Sequence, residues 1–154
     1  MASPLAQALI AHADSVFEGP NGDYSAVLES LTGISVPQAR WKPAPNQNSI
    51  WQIVEHLIAS KEWQIDMLDR GKADAPFWVE PSGDEAAWQT SLTRLKDAHR
   101  RLKLVLERVT EADLLKVPAA EEGRTLLELI LSSGPAHEAH HGGQIDYLKG
   151  LQAG

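Results

Sequence analysis

The stretch SIWQIVEHLI at residues 49–58 is the strongest indication that this chain folds as helices. Ser49 is followed three residues later by Gln52, which is the spacing of a capping box at a helix N-terminus. Gly71 is the predicted C-terminal end of this helix. Between these limits the apolar side chains recur at helical intervals, which predicts a long helix with one buried face: Ile50, Ile53, Val54, Leu57, Ile58, Ile65 and Leu68.

Helical patterns also occupy the region before this stretch. A first helix is predicted from about Leu5, and the Gly-Pro-Asn-Gly run at residues 19–22 interrupts it. Residues 24–31 resume a helical pattern. Residues 34–48 are rich in Pro, Asn and Gln, and we expect them to form a connecting loop.

The second half of the chain continues in the same way, and no segment alternates with period two for long enough to predict a strand. Capping-box spacings at residues 82–85 and 125–128 predict the starts of two more helical regions, and residues 110–113 predict a short turn or helix. Residues 134–135 are Gly-Pro, which must kink or break the last region before it resumes to about Leu151. The predicted fold class is all-α, an antiparallel four-helix bundle with a kinked or broken last helix.

Length and composition describe a globular chain that is expected to form one domain over residues 1–154. Its net charge of −7 disfavours nucleic acid as a partner, because binding a polyanion requires a basic patch. The densest basic cluster contains Arg100, Arg101 and Lys103. A solvated helix face is the preferred interpretation of this cluster, and an anion site is the alternative.

The chain contains no cysteine, which excludes disulfides, zinc ribbons and a cysteine nucleophile. Its first residues lack the basic region of a signal peptide. No apolar run approaches the roughly 20 residues that a membrane span needs. We therefore expect a cytoplasmic protein that does not associate with membranes.

The segment HEAHHGGQ at residues 137–144 carries the most informative chemistry. His137 and His141 lie four residues apart, so both fall on one helix face at about 5–6 Å between Cβ atoms. His56 interrupts the apolar stripe of the earlier helix. Three neutral imidazoles suit zinc and similar divalent ions, and they would leave one coordination position open, as in catalytic sites. These three residues are the predicted metal ligands.

Other interpretations of the same histidines stay open. His56 could be a core histidine bonded to a backbone carbonyl. The letters from His137 to His141 also match the His-Glu-x-x-His motif of zinc proteases, although no third ligand follows. We expect His140 to be a surface residue or to support a ligand, and Glu138 to be exposed to solvent. His12 and His99 are expected to have structural or surface roles.

Two further residues are assigned to the predicted site. Trp63 lies seven residues after His56 on the same helix face and could flank a metal cleft. Gln144 lies seven residues after His137 and could orient a substrate, or water bound at the open position, by a hydrogen bond. No residue is assigned a catalytic role.

The motifs in this order resemble the DinB-like superfamily. Residues 49–57, followed by Glu-Trp at 62–63 and Leu-Asp-Arg-Gly at 68–71, resemble the second helix of that family. The lead-in ARWKPAPN at residues 39–46 and the segment HEAHHGGQI at residues 137–145 are also similar to the family's pattern. The Gly-Pro step before the last segment departs from the continuous helix that is commoner in the family.

The resemblance implies an up-down-down-up bundle and a divalent metal ion, often zinc or nickel, held by His56, His137 and His141. It also implies a homodimer. Characterised relatives include metal-dependent transferases and isomerases that use low-molecular-weight thiols, and such a thiol would fit a protein without cysteine. The preferred function is a metal-dependent enzyme of the thiol-transferase or hydrolase type that acts on a small molecule. A non-catalytic metal-binding stress-response protein and a metal-free interaction module are the alternatives.

Overall fold

The computed structural model describes residues 2–119, 121 and 123–154. These residues form helices joined by turns and irregular connections, and no strand occurs among them. The predicted all-α class is therefore confirmed.

The N-terminal region contains one long helix and two short ones. Helix α1 spans Pro4–Phe17, and the Ser3 side chain caps it. Helix α2 is limited to Val27–Ser30, which is shorter than the helical segment predicted at 24–31. Helix α3 spans Val36–Arg40, where a loop is predicted. That prediction is wrong because the many prolines obscure a local signal, the Ser35–Gln38 capping box.

Helix α4 spans Ile50–Arg70 and forms as the capping signals predict. The Ser49 hydroxyl accepts a hydrogen bond from the Gln52 amide, and the Gln52 side chain accepts one from the Ser49 amide. Gly71 ends the helix with φ of 67°, a left-handed conformation that favours glycine. This helix carries His56 on its buried side.

Helix α5 spans Glu85–Leu106, and the short helix α6 spans Glu111–Leu114. The N-cap of α5 is Asp84, whose carboxylate accepts from the Ala87 amide, so the predicted start at Ser82 is wrong. Both residue types are good N-caps, and the sequence pattern alone does not choose between them.

The last helical region is interrupted where the Gly-Pro step predicts a break. Helix α7 spans Leu126–Leu131, a π-helical segment covers Ser132–Ala136, and helix α8 spans His137–Ala153. Gly134 departs from helical geometry, with φ of −98° and ψ of −107°. The segment also packs closely against Gln64 of α4. A Cβ atom added to Gly134 would lie only 2.7 Å from Gln64 Oε1, so this position leaves no room for a larger side chain.

The main hydrophobic core lies against the N-terminal half of α4. Trp51 and Trp88 pack edge to face in it, with ring centroids 5.4 Å apart. Each indole nitrogen donates a hydrogen bond: Trp51 to the Ser91 hydroxyl at 2.9 Å and Trp88 to the Ile34 carbonyl at 3.0 Å. These bonds satisfy the polar ends of two side chains that are otherwise fully buried.

No helix among the described residues combines the length and the apolar composition that crossing a bilayer would require.

Candidate metal centre

Three histidines from two helices converge in the structure. Nε2 of His137 lies 3.2 Å from Nε2 of His56 and 2.9 Å from Nε2 of His141. The ligand atoms of the three residues all lie within 4.8 Å of one another, which is close enough for one ion to contact all three. The structure thus brings together the three residues that were predicted from the sequence as metal ligands.

The helices place these rings by simple geometry. His137 and His141 stand one turn apart at the start of α8, immediately after the π-helical segment. His56 faces them from the N-terminal half of α4. The rings meet edge to face, with interplanar angles of 71° to 87°. Their nitrogen edges therefore point toward a shared centre.

Gln144 fixes the orientation of one of the rings. Its side-chain oxygen lies 2.6 Å from Nδ1 of His141 and accepts the ring proton there. The proton on Nδ1 leaves a lone pair on Nε2 of His141, which is the atom that faces the other two histidines. A hydrogen bond of this kind, on the far side of a ligand, is typical of metal-binding histidines.

All three imidazoles are neutral at pH 7. Burial, followed by the charge of His141, lowers the pKa of His137 to about 4. Burial also lowers the pKa of His141 to about 4, against the opposing effect of its bond with Gln144. Burial lowers the pKa of His56 and the Phe77 backbone opposes this effect, although Nδ1 of His56 forms no well-aligned hydrogen bond. Neutral imidazole is the form that binds a metal ion.

The cluster fits a cation better than it fits a hydrogen-bonded network. Nε2 of His137 has two nitrogen neighbours, and one ring proton can satisfy only one of those contacts. Nδ1 of both His56 and His137 is buried without a partner. His56 has no well-aligned bond to a backbone carbonyl, so this arrangement favours its interpretation as a ligand over that of a bonded core histidine. Nitrogen lone pairs that face one another repel. A divalent ion between them would remove this repulsion by binding all three nitrogens as ligands.

Trp78 covers one side of the cluster. Its ring stacks on His56 with centroids 4.0 Å apart and an interplanar angle of 7°. It also meets His141 edge to face at 5.8 Å. This contact was not predicted from the sequence, because Trp78 lies in the irregular connection between α4 and α5 and no periodicity relates it to the histidines.

A cavity of about 420 Å³ adjoins the histidines on another side. His56 and His137 contribute to its wall, and Trp63 lies beside them as an apolar surface. The Ser60 hydroxyl, buried and without a partner, belongs to the same wall. Arg124 also lines the cavity, although its guanidinium pairs with Glu121 at 2.9 Å.

A second cavity, of about 390 Å³, lies between α8 and the connection before α4. His140, Gln144 and Tyr147 are among its lining residues, but none of the three clustered histidines is. His140 is exposed at the surface, as expected. His12 is also exposed.

Glu138 contradicts the expectation of solvent exposure. Only 2% of it is accessible, and its Oε1 lies 2.5 Å from Nζ of the fully buried Lys61. Adjacent positions of a helix lie on different faces, so Glu138 does point away from His137. The face that carries Glu138 is nevertheless also buried. A buried lysine on the helix that carries His56 is the signal that could have indicated this, since a buried cation needs an acidic partner.

The structure thus belongs to the class of all-helical proteins with a buried group of three histidines beside a cavity. The family model of the DinB superfamily matches residues 22–145, and the chain belongs to that superfamily. No curated protein and no solved structure gives a significant match.

Proposed function

We propose that this protein is a divalent-metal enzyme in which His56, His137 and His141 hold the ion and leave a position open to the adjacent cavity. The observation that carries the proposal is the convergence of three neutral Nε2 atoms beside that cavity, whose wall includes His56 and His137. Zinc and nickel are the proposed ions, since both accept imidazole ligands. Membership of the DinB superfamily is compatible with this assignment.

The chemistry of such an ion is that of a Lewis acid, which lowers the pKa of a water or thiol that binds to it. The side chains around it have separate tasks. Gln144 holds the His141 ring in one tautomer, and Trp78 shields the His56 ring from solvent on one side. Ser60 offers a hydroxyl, and Trp63 an apolar wall, to a small molecule in the cavity.

A low-molecular-weight thiol is the proposed cosubstrate. In a thiol transfer the sulfur loses its proton, forms a bond to an electrophilic carbon of the acceptor and displaces the leaving group. The test is a screen of small thiols with electrophilic acceptors, using metal-loaded protein and the same protein after chelation. Turnover that requires added metal supports the proposal, and equal rates in the loaded, chelated and protein-free samples would reject it.

We further propose that α1, α4, α5 and the α7–α8 region form an antiparallel four-helix bundle with up-down-down-up order. The order of contacts supports this topology. Contacts between α4 and α5 advance together, from Trp51 with Ser91 to Lys61 with His99, as expected for parallel helices. Contacts of α4 with α8 run in opposite directions, from His56 with His141 to Lys61 with Glu138. The contacts of α1 with α5 also run in opposite directions.

Removal of the Gln144 side chain tests its role beside the metal. We expect Gln144→Ala to retain the ion but to bind it about 10-fold more weakly, because the His141 ring loses the acceptor that orients it. The variant should also turn over more slowly when fully loaded. Competition with a chromophoric chelator measures the affinity. An affinity and a rate equal to those of the native protein would remove Gln144 from the site.

The protein is also proposed to form a homodimer. Large apolar side chains are exposed in the described residues, among them Phe77 at 67% and Tyr147 at 69%. We expect light scattering at micromolar concentration to give about twice the chain mass of 16.8 kDa. A mass near that of one chain would contradict the proposal.

A further inference from the structure

A chain of buried polar groups crosses the protein beside the histidines. Nζ of Lys61 donates to Oε1 of Glu138 at 2.5 Å and to Nδ1 of His99 at 3.0 Å. Nε2 of His99 then donates to Asp14 at 2.8 Å. These four residues come from α4, α8, α5 and α1 respectively, so one network joins the four longest helices.

The central pair of this network is wholly removed from water. Lys61 is 0% and Glu138 is 2% accessible, and Nζ of Lys61 also lies 4.3 Å from the centre of the Phe17 ring. Burying two charges costs a large desolvation free energy, and apolar side chains of similar size are often at least as stabilising. The pair differs from apolar packing in its directional hydrogen bonds, which define the relative position of two helices.

The position of α8 depends more on such contacts than the position of an uninterrupted helix would. Its backbone is separated from α7 by the non-helical Gly134, and no side chain caps its first turn. The continuity of the backbone therefore does not set the rotation of α8 about its axis. A rotation of one residue, 100°, would turn both His137 and His141 away from His56.

Two polar anchors on α4 reach across this break. Nε2 of Gln64 donates to the Ser133 carbonyl at 3.2 Å, inside the π-helical segment. Lys61 binds Glu138 in the first turn of α8. His56 belongs to the same helix, so α4 supplies one predicted ligand and also holds the segment that carries the other two.

We propose that the Lys61–Glu138 pair is a positioning pair, which sets the rotation of α8 and thereby the placement of His137 and His141 opposite His56. The inference rests on the proposed metal site. Lys61 hydrogen-bonds Glu138 and His99, neither of which belongs to the cluster of His56, His137 and His141.

The test uses Co²⁺ binding, whose visible absorption reports coordination geometry. The informative variant is Lys61→Met with Glu138→Leu, which replaces both charges by apolar side chains and leaves neither buried alone. Circular dichroism and thermal unfolding establish that it is folded. We expect this folded variant to bind Co²⁺ about 10- to 100-fold more weakly, the loss typical of residues that orient ligands. Its absorption should also shift and weaken.

Two controls separate positioning from stability. Asp14→Asn weakens the same network at its far end without touching Glu138, and Glu62→Gln removes an ion pair with Arg101 on the neighbouring position of α4. Both should keep the native Co²⁺ spectrum even if they lower the melting temperature. Should the double variant not fold, Lys61→Met with Glu138→Gln, which keeps both side chains close to their native size and still removes the hydrogen bond between them, is measured instead, with the same shift expected.

The outcomes separate this inference from the proposed function. A native affinity and spectrum in the folded double variant, whichever of the two is measured, would overturn the positioning role while leaving the metal site intact. Spectral changes of equal size in the two control variants would also overturn it. Failure of the native protein to bind Co²⁺ at all would instead reject the metal site.

Discussion

Replacing His137 with alanine is expected to weaken metal binding by more than about 100-fold, beyond the range of residues that only support a ligand. His137 is the central member of the cluster, since its Nε2 contacts the Nε2 atoms of both other histidines. His56→Ala and His141→Ala should likewise lose most of the bound ion. Metal content after dialysis, measured by mass spectrometry, gives the result directly.

His140→Ala is the matched control for these variants. His140 lies on the same turn of α8 but is exposed, and its nitrogens do not belong to the cluster. It should therefore keep a native metal content. If the three cluster variants retained as much metal as His140→Ala, the assignment of ligands would be wrong.

The largest effect on stability is expected from Trp88→Ala, which should lower the free energy of unfolding by about 3–5 kcal/mol. The Trp88 side chain is fully buried against Trp51, and its removal leaves a cavity. The Ile34 carbonyl also loses the indole donor. Urea unfolding followed by circular dichroism measures the change.

Phe77→Ala provides the comparison for that measurement. Phe77 is an aromatic residue of similar hydrophobicity, but 67% of it is exposed, so its truncation should change the stability by no more than about 0.5 kcal/mol. Similar losses in the two variants would show that the core around Trp51 and Trp88 is not where the structure places it.

The parts of the fold that could be predicted are those with local causes. The Ser49–Gln52 and Thr125–Glu128 boxes act over three residues, and the helices begin where these signals lie. The Gly-Pro step breaks the last region because proline lacks an amide hydrogen. The i and i+4 spacing of His137 and His141 follows from helical geometry alone.

The parts that escaped prediction depend on contacts between distant segments. Trp78 reaches His56 from an irregular connection, and its position depends on the path of that connection. Glu138 is buried because Lys61, 77 residues earlier, lies opposite it. The role of His99 between Lys61 and Asp14 likewise needs three helices in place. No periodicity in the sequence encodes such pairings.

The most direct test of the account is the metal content and coordination of untagged native protein, measured by mass spectrometry and X-ray absorption spectroscopy. The account predicts one divalent ion per chain with three imidazole ligands and one ligand that does not come from the protein. A protein that takes up no ion, or an ion held by four protein side chains, would contradict it.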